Sequence, residues 1–319
     1  MVDQVETAPL QRGVAVRFIA VAVLVYTALV AGSEALVYAQ GHANPFFKVA
    51  TAERQDYDWL ILGASHAMPL AFGDSEASIE SATGQSVINL AVQGAGPLYN
   101  RLVLEQFLER HRAMGLIYVV DSFAFRAPLW NEDRVADPGL LARTPYDPSL
   151  VARLWEYVLA DGVSPLAALD YSSGFSKVNN RDRFERDIWD GEAQFGRRYR
   201  PSARAEDERI AYLYPQGSED PARLARYLND FDRLIGQALA AGMTVRILKM
   251  PLPASFYGKL PDESGFDEML DALAKRRGLS VEDDSLLLQG AEYYFDSDHL
   301  GRRGVEEFIQ QRLVPLMRD

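Results

Sequence analysis

The sequence predicts an α/β domain of three layers, α/β/α, built on a mostly parallel sheet of five strands and preceded by an apolar N-terminal helix. Three observations carry this. From about residue 58 onward, short apolar runs of strand length alternate with segments of helical periodicity. The runs are continuously apolar, as in strands covered on both faces. The 319 residues are 48% hydrophobic and 24% charged, enough to bury a sizeable core in one large domain or two small ones.

The first strand is Trp59-Leu60-Ile61-Leu62, which runs into the turn Gly63-Ala64-Ser65. Ser86–Val92 is the second, followed by Gly94-Ala95-Gly96-Pro97. Pro97 suits the first position of a helix, and Leu98, Leu102, Leu104, Phe107 and Leu108 give that helix an apolar stripe. Leu116–Val120 is the third strand, ending at Asp121-Ser122. The stretch 123–219 has weak periodicity and is rich in Arg, Asp, Tyr and Trp; it reads as a long, partly helical insertion. Order returns at Asp220-Pro221 with a helix marked by Leu224, Leu228, Phe231, Leu234, Ile235 and Leu239 and ended by Gly242. Met243–Met250 is the fourth strand, Phe266–Lys275 a helix, and Leu279–Val281 a weak fifth strand. Val305, Phe308, Ile309, Leu313 and Leu316 mark a last helix.

Residues Phe18–Gly32 carry no charge, and with the flanking apolar residues the run approaches the roughly 20 needed to cross a bilayer. A buried core helix is the plainer alternative, but the run is apolar on all faces and terminal. A cleaved signal peptide is another, since Val37-Tyr38-Ala39 has small residues where a signal peptidase reads. The expected organisation is therefore a tail and membrane anchor (or signal) at 1–40, a stalk at 41–57 and the α/β domain at 58–319. Arg12 and Arg17 face Lys48 and Arg54 across the run, a near balance of flanking charge. The expected location is the inner or plasma membrane, single-pass, with the C-terminal domain exported to the periplasm or beyond.

A net charge of −12 disfavours nucleic-acid partners. The absence of cysteine excludes disulfides, thiolate nucleophiles and Cys-ligated zinc.

In a parallel sheet the functional crevice lies beyond the carboxyl ends of the strands. Three loops bring chemistry there: Gly63-Ala64-Ser65-His66, Asn89 to Gly96, and Asp296-Ser297-Asp298-His299. A serine nucleophile needs a base, and the base needs an orienting acceptor. Four histidines exist: His42 in the stalk, His111 on a polar stretch, His66 beside the serine and His299. His299 is the best-placed base for Ser65, with Asp296 three residues earlier as its acceptor. Backbone N–H groups near Ser65 and Gly94 are candidate oxyanion donors. Plainer readings stand beside these. Gly94-Ala95-Gly96 is equally an ordinary tight turn, and Asn89 a residue that ties two loops. Asp296, Asp298 and His299 are also a donor set for a metal. The tryptophans of the insertion either stack on sugar rings or simply pack.

Ser65, Gly94, Asp296 and His299 match, in order and place, the blocks of the SGNH or GDSL-like hydrolase superfamily, which the chain resembles over most of 58–318 apart from the insertion. The resemblance implies a flavodoxin-like sheet and a Ser-His-Asp triad with no metal or cofactor. The first block reads Gly-Ala-Ser rather than Gly-Asp-Ser. The third, normally Gly-x-Asn-Asp, reads Val120-Asp121-Ser122-Phe123 and lacks the asparagine of the oxyanion hole. Ser122 or Asn89 would have to substitute, and an anionic Asp121 would oppose an oxyanion. The anchored layout and the Gly-Ala-Ser-His turn look like the divergent DltD-like and alginate-acetylation members. That implies a serine esterase or O-acyltransferase acting on an acylated envelope or extracellular polysaccharide or another acyl ester, with other membrane proteins of a polysaccharide system as partners. The alternative is a non-catalytic binding or scaffold component of such a system.

Overall fold

The computed structural model describes residues 9–318; the start of the N-terminal tail, residues 1–8, lies outside the described residues. One long helix opens the chain, α1 (Pro9–Gln40), and a short one follows, α2 (Pro45–Thr51). The sheet comprises β1 (Asp56–Gly63), β2 (Val87–Asn89), β3 (Arg112–Val119), β4 (Thr244–Lys249) and β5 (Val281–Asp283). All four pairings are parallel and the strand order is β2-β1-β3-β4-β5. Crossovers are made by α3 (Ser75–Thr83), α4 (Pro97–Leu108) and, after the insertion, α9 (Pro221–Ala240) and α10 (Glu263–Arg276). The main insertion helices are α5 (Pro148–Ala160), α6 (Pro165–Ser173), α7 (Phe175–Asn179) and α8 (Ala203–Leu213), and α11 (Arg302–Phe308) begins the C-terminal helix.

The pleat of β1 divides the core in two. Leu60 and Leu62 point into a cluster with Leu98, Leu102, Phe231, Leu234 and Phe266 of α4, α9 and α10. Trp59 and Ile61 point the other way, onto Ile79 of α3 and Phe308 of α11. Helices thus cover both faces, and the expected α/β/α class is observed with every strand parallel. The second strand pairs over more than its three regular residues. Trp59 N–H bonds Ser86 O, Leu90 N–H bonds Ile61 O and Val92 N–H bonds Gly63 O, so the expected stretch Ser86–Val92 follows β1 throughout.

Three local differences have physical causes. The stretch read as a stalk holds α2, capped by Asn44 and anchored through buried Phe46 and Val49 in the main core. Helix α3 (SEASIESAT) buries little beyond Ile79, so it has no stripe to read. The last helix widens into a π turn at Ile309–Leu313 between α11 and Val314–Arg318. The insertion is tied to the core by Arg101 of α4, buried, which bonds Tyr157 Oη at 2.9 Å, Asp230 at 2.9 Å, and Asp161.

Candidate active site

Ser65 sits in the turn after β1, where Ala67 N–H bonds Ala64 O and Met68 N–H bonds Ser65 O. The turn depends on Gly63, at φ +149, where a Cβ would lie 2.8 Å from Val119 O. Glycine therefore lets β1 and β3 end in close contact. Because these strands are neighbours, the residues that follow them meet: His66 after β1 and Asp121 after β3. Asn100 of α4 braces the edge from below. Its Oδ1 accepts from Gly63 N–H, and its Nδ2 donates to Ala95 O and Gly96 O at 3.1 Å.

The loop before α11 brings the third set. Asp296 Oδ1 accepts from the backbone N–H of Asp298 at 3.1 Å and of His299 at 2.8 Å. Both carboxylate oxygens lie 2.9 Å from His299 Nδ1. His299 is 1% exposed, and its Nε2 is buried with no hydrogen-bond partner. Phe295 stacks on the imidazole, Trp189 meets it edge-on at 5.0 Å, and the His66 ring lies 4.9 Å away. Asp296 thus fixes Nδ1 as the protonated nitrogen and leaves Nε2 as a free acceptor. Ser65 is buried beside His66, and no hydrogen bond joins its Oγ to Nε2.

The other expected residues divide. Gly94 takes φ +65 with its Cα against Trp130, and among the described residues no backbone bond occupies its N–H or that of Ser65. Asn89 ties the two loops: Nδ2 donates to Ala67 O at 2.8 Å and Oδ1 accepts from Ala91 N–H at 2.9 Å. Ser122 is drawn away. Its hydroxyl donates to Glu263, which also takes Lys249 Nζ at 2.7 Å, so Ser122 has no hydrogen left for an oxyanion.

Sequence reasoning missed a buried charge network around these residues. His66 Nδ1 bonds Asp121, and its Nε2 bonds Asp298 at 3.2 Å. Asp298 also accepts from Arg209 Nε at 2.9 Å and from Ser297 Oγ at 2.8 Å. Burial alone would lower the His66 pKa, but the charges and hydrogen bonds of Asp121 first, then Asp298, outweigh it and raise it to about 10. Asp298 is held well below the usual carboxylate range: burial opposes this, and the charge of His299 in its protonated form, with Arg209 and His66, overcomes it. Two cations therefore answer two carboxylates, and Asp121 is no longer a free negative charge facing an oxyanion. Asp121 and Asp298 drew attention in the sequence in other roles, as a charge opposing an oxyanion and as a metal donor; Arg209 lies in the insertion and carried no signal. His66, Asp298 and His299 bring ligand atoms within 4.8 Å of one another, yet the arrangement does not fit a metal. Arg209 already occupies Asp298, and a cation would have to displace it and deprotonate His66.

A cavity of about 360 Å³ opens beside the site, walled by Met68, Val92, Gln93, Trp189, Arg134 and Arg143. Ser65 and His299 do not line it; Trp189, packed on His299, does.

No family model matches the chain, and no curated protein matches it. Among solved structures it is similar to a crystal structure described as a candidate acylhydrolase from Bacteroides fragilis, at 9% identity and a TM-score of 0.40, over 85% of this chain and 94% of that one. It is also similar to a structure described as a candidate platelet activating factor from Streptococcus pneumonia, at 10% identity and a TM-score of 0.41, over 93% of this chain and 99% of that one. These likenesses are distant, and the residue roles rest on the geometry of the site.

Proposed function

We propose that the chain is an exported, membrane-anchored serine esterase or O-acyltransferase acting on acyl esters of an envelope or extracellular polysaccharide. The observation that carries the chemistry is His299: Nδ1 held by both oxygens of Asp296, Nε2 buried and unpartnered beside the Ser65-His66 turn. In this reading Nε2 takes the Ser65 proton as Oγ bonds to the acyl carbon. The N–H groups of Ser65 and Gly94 stabilise the oxyanion. The ester C–O bond then breaks, His299 returns the proton to the leaving alcohol, and water or an acceptor hydroxyl completes the cycle. Outward movement of Trp189 would open the neighbouring cavity toward His299. An active-site fluorophosphonate should label the wild type and not Ser65→Ala; equal labelling of both removes Ser65 from the chemistry.

Retention of α1 as an anchor is supported by its contacts. Glu34 pairs with Lys177, and Asp187 N–H bonds Gln40 O at 2.8 Å. Cleavage after Ala39 would cut within this packed segment.

A non-catalytic binding or scaffold role is favoured by one observation, that Ser65 is a buried residue whose Oγ makes no bond to His299. It predicts that Ser65→Ala leaves the cellular phenotype intact while removal of the insertion abolishes it.

A further inference from the structure

The outer face of the insertion carries large apolar side chains in the open. Leu166 and Leu169, three apart on α6, are 70% and 53% exposed; Phe175 on α7 is 60% and Phe184 67%. Soluble surfaces do not gather such residues without use. Their position follows from α1. Tyr26 Oη donates to Ser173 O, Val30 lies 3.2 Å from where a Gly174 Cβ would stand, Glu34 pairs with Lys177, and Gln40 O accepts from Asp187 N–H. The segment 173–187 therefore runs beside the second half of α1, and its start touches the helix at Tyr26.

The length of α1 makes this contact consequential. Arg17 is the last charge before the apolar run, so a span of about 20 residues from Phe18 ends near Val37. The exposed apolar stretch after Arg17, from Phe18 to Leu29 and touched by the domain at Tyr26, is only about 18 Å long at ~1.5 Å per residue. The hydrocarbon layer is about 30 Å thick. The remaining turns can lie at membrane depth only if the protein beside them lies there too. That protein is α6 and α7. Glu34 is then a charge within the span, and it is paired with Lys177, itself buried. Arg183 lies 5.3 Å over the Phe184 ring, an arginine and aromatic pairing suited to the headgroup level.

Resting on the reading of α1 as a retained anchor, we infer that the insertion is a second membrane element: the face formed by Leu166, Leu169, Phe175 and Phe184 inserts into the exported leaflet beside α1. The occupant of this apolar face is lipid, because the segment that carries it packs along the exposed apolar helix α1 at Tyr26, Val30 and Glu34 and makes up the length that α1 lacks. From there the same segment continues to Trp189, against His299.

The chain has no cysteine, so single-cysteine spin labels report one position each. The full chain would be reconstituted in phosphatidylcholine vesicles with labels at Leu169→Cys, Phe175→Cys and Phe184→Cys. Val21→Cys marks the span, and Met269→Cys on α10 is the aqueous reference. Collision with a water-soluble nickel chelate should be at least threefold lower at 169, 175 and 184 than at 269, with oxygen collision raised, as at 21. Shielding at 21 with nickel access at the insertion within threefold of 269 overturns the inference and leaves the anchor. Nickel access at 21 overturns both. Labels at the insertion that are immobile and shielded from nickel and oxygen alike place a protein partner there instead of lipid, and also overturn it.

Discussion

Substituting Asp296→Asn tests the site with little disturbance to the fold. The carboxylate has two jobs: Oδ1 holds the loop through the N–H groups of Asp298 and His299, and the pair of oxygens holds His299 Nδ1. Asparagine can keep the first, because its amide oxygen accepts both backbone hydrogens. Its NH₂ then stands where Oδ2 stood and turns hydrogens toward Nδ1. The imidazole responds by moving its proton to Nε2, the nitrogen that receives one from Ser65 in the proposed mechanism. A wrong tautomer at this position costs about 10⁴ in rate, whereas the fold loses only about 1 kcal/mol, the net worth of one hydrogen bond. The assay is the second-order rate of fluorophosphonate labelling at Ser65, with a thermal melt alongside. A fall of three to four decades with a nearly unchanged melt is expected. Labelling within tenfold of wild type, with Ser65→Ala unlabelled, would refute the claim that Asp296 sets the tautomer.

Further expectations concern the supporting residues. The pKa of His66 is raised in the fold, so its stabilising contribution is fully present below about 6.5 and is lost as pH rises through about 10. Over that window wild type should lose at most about 5 kcal/mol by urea unfolding, and His66→Gln should lose this slope. Asp298 is shifted the other way, so its contribution is present above the unfolded carboxylate range and is lost on acidification. Arg209→Gln removes one of its cations, and the acid-induced fall in Tm should begin at higher pH than in wild type. Gly63→Ala places a Cβ 2.8 Å from Val119 O at a φ of +149; a loss of about 2–3 kcal/mol and of Ser65 labelling should follow, read by urea melts and the same probe.

The parts of the fold that could be read in the sequence are those where burial dictates pattern. The strands Asp56–Gly63, Arg112–Val119 and Thr244–Lys249 lie between two helical layers and are apolar on both faces where they are buried. Helix α9 shows a full stripe because one side packs and the other is wet. The short helices α2 and α3 bury one or a few residues each and leave no period to detect. Of the proposed site, the Asp296–His299 pair and the Ser65 turn could be read because one precedes a helix and the other follows a strand. Asn100 and Arg209 were not. Each acts through hydrogen bonds or an ion pair to residues distant in sequence, from a helix whose own pattern is ordinary. His66 looked set aside by its adjacency to Ser65. The neighbouring ends of β1 and β3 instead place it between Asp121 and Asp298.

The insertion between β3 and β4 also fixes a timetable. About 125 residues separate Val119 from Thr244, and β4 is the partner that closes the second edge of β3. At synthesis rates of ~5–20 residues per second, β3 waits roughly 6–25 s for that partner. Throughout, one side of its backbone is an open template for foreign strands. A ribosome pause inside the insertion would lengthen the exposure, and a faster passage would shorten it. The yield of correctly folded chain should therefore track translation speed across codons 120–244 more closely than speed anywhere after β5.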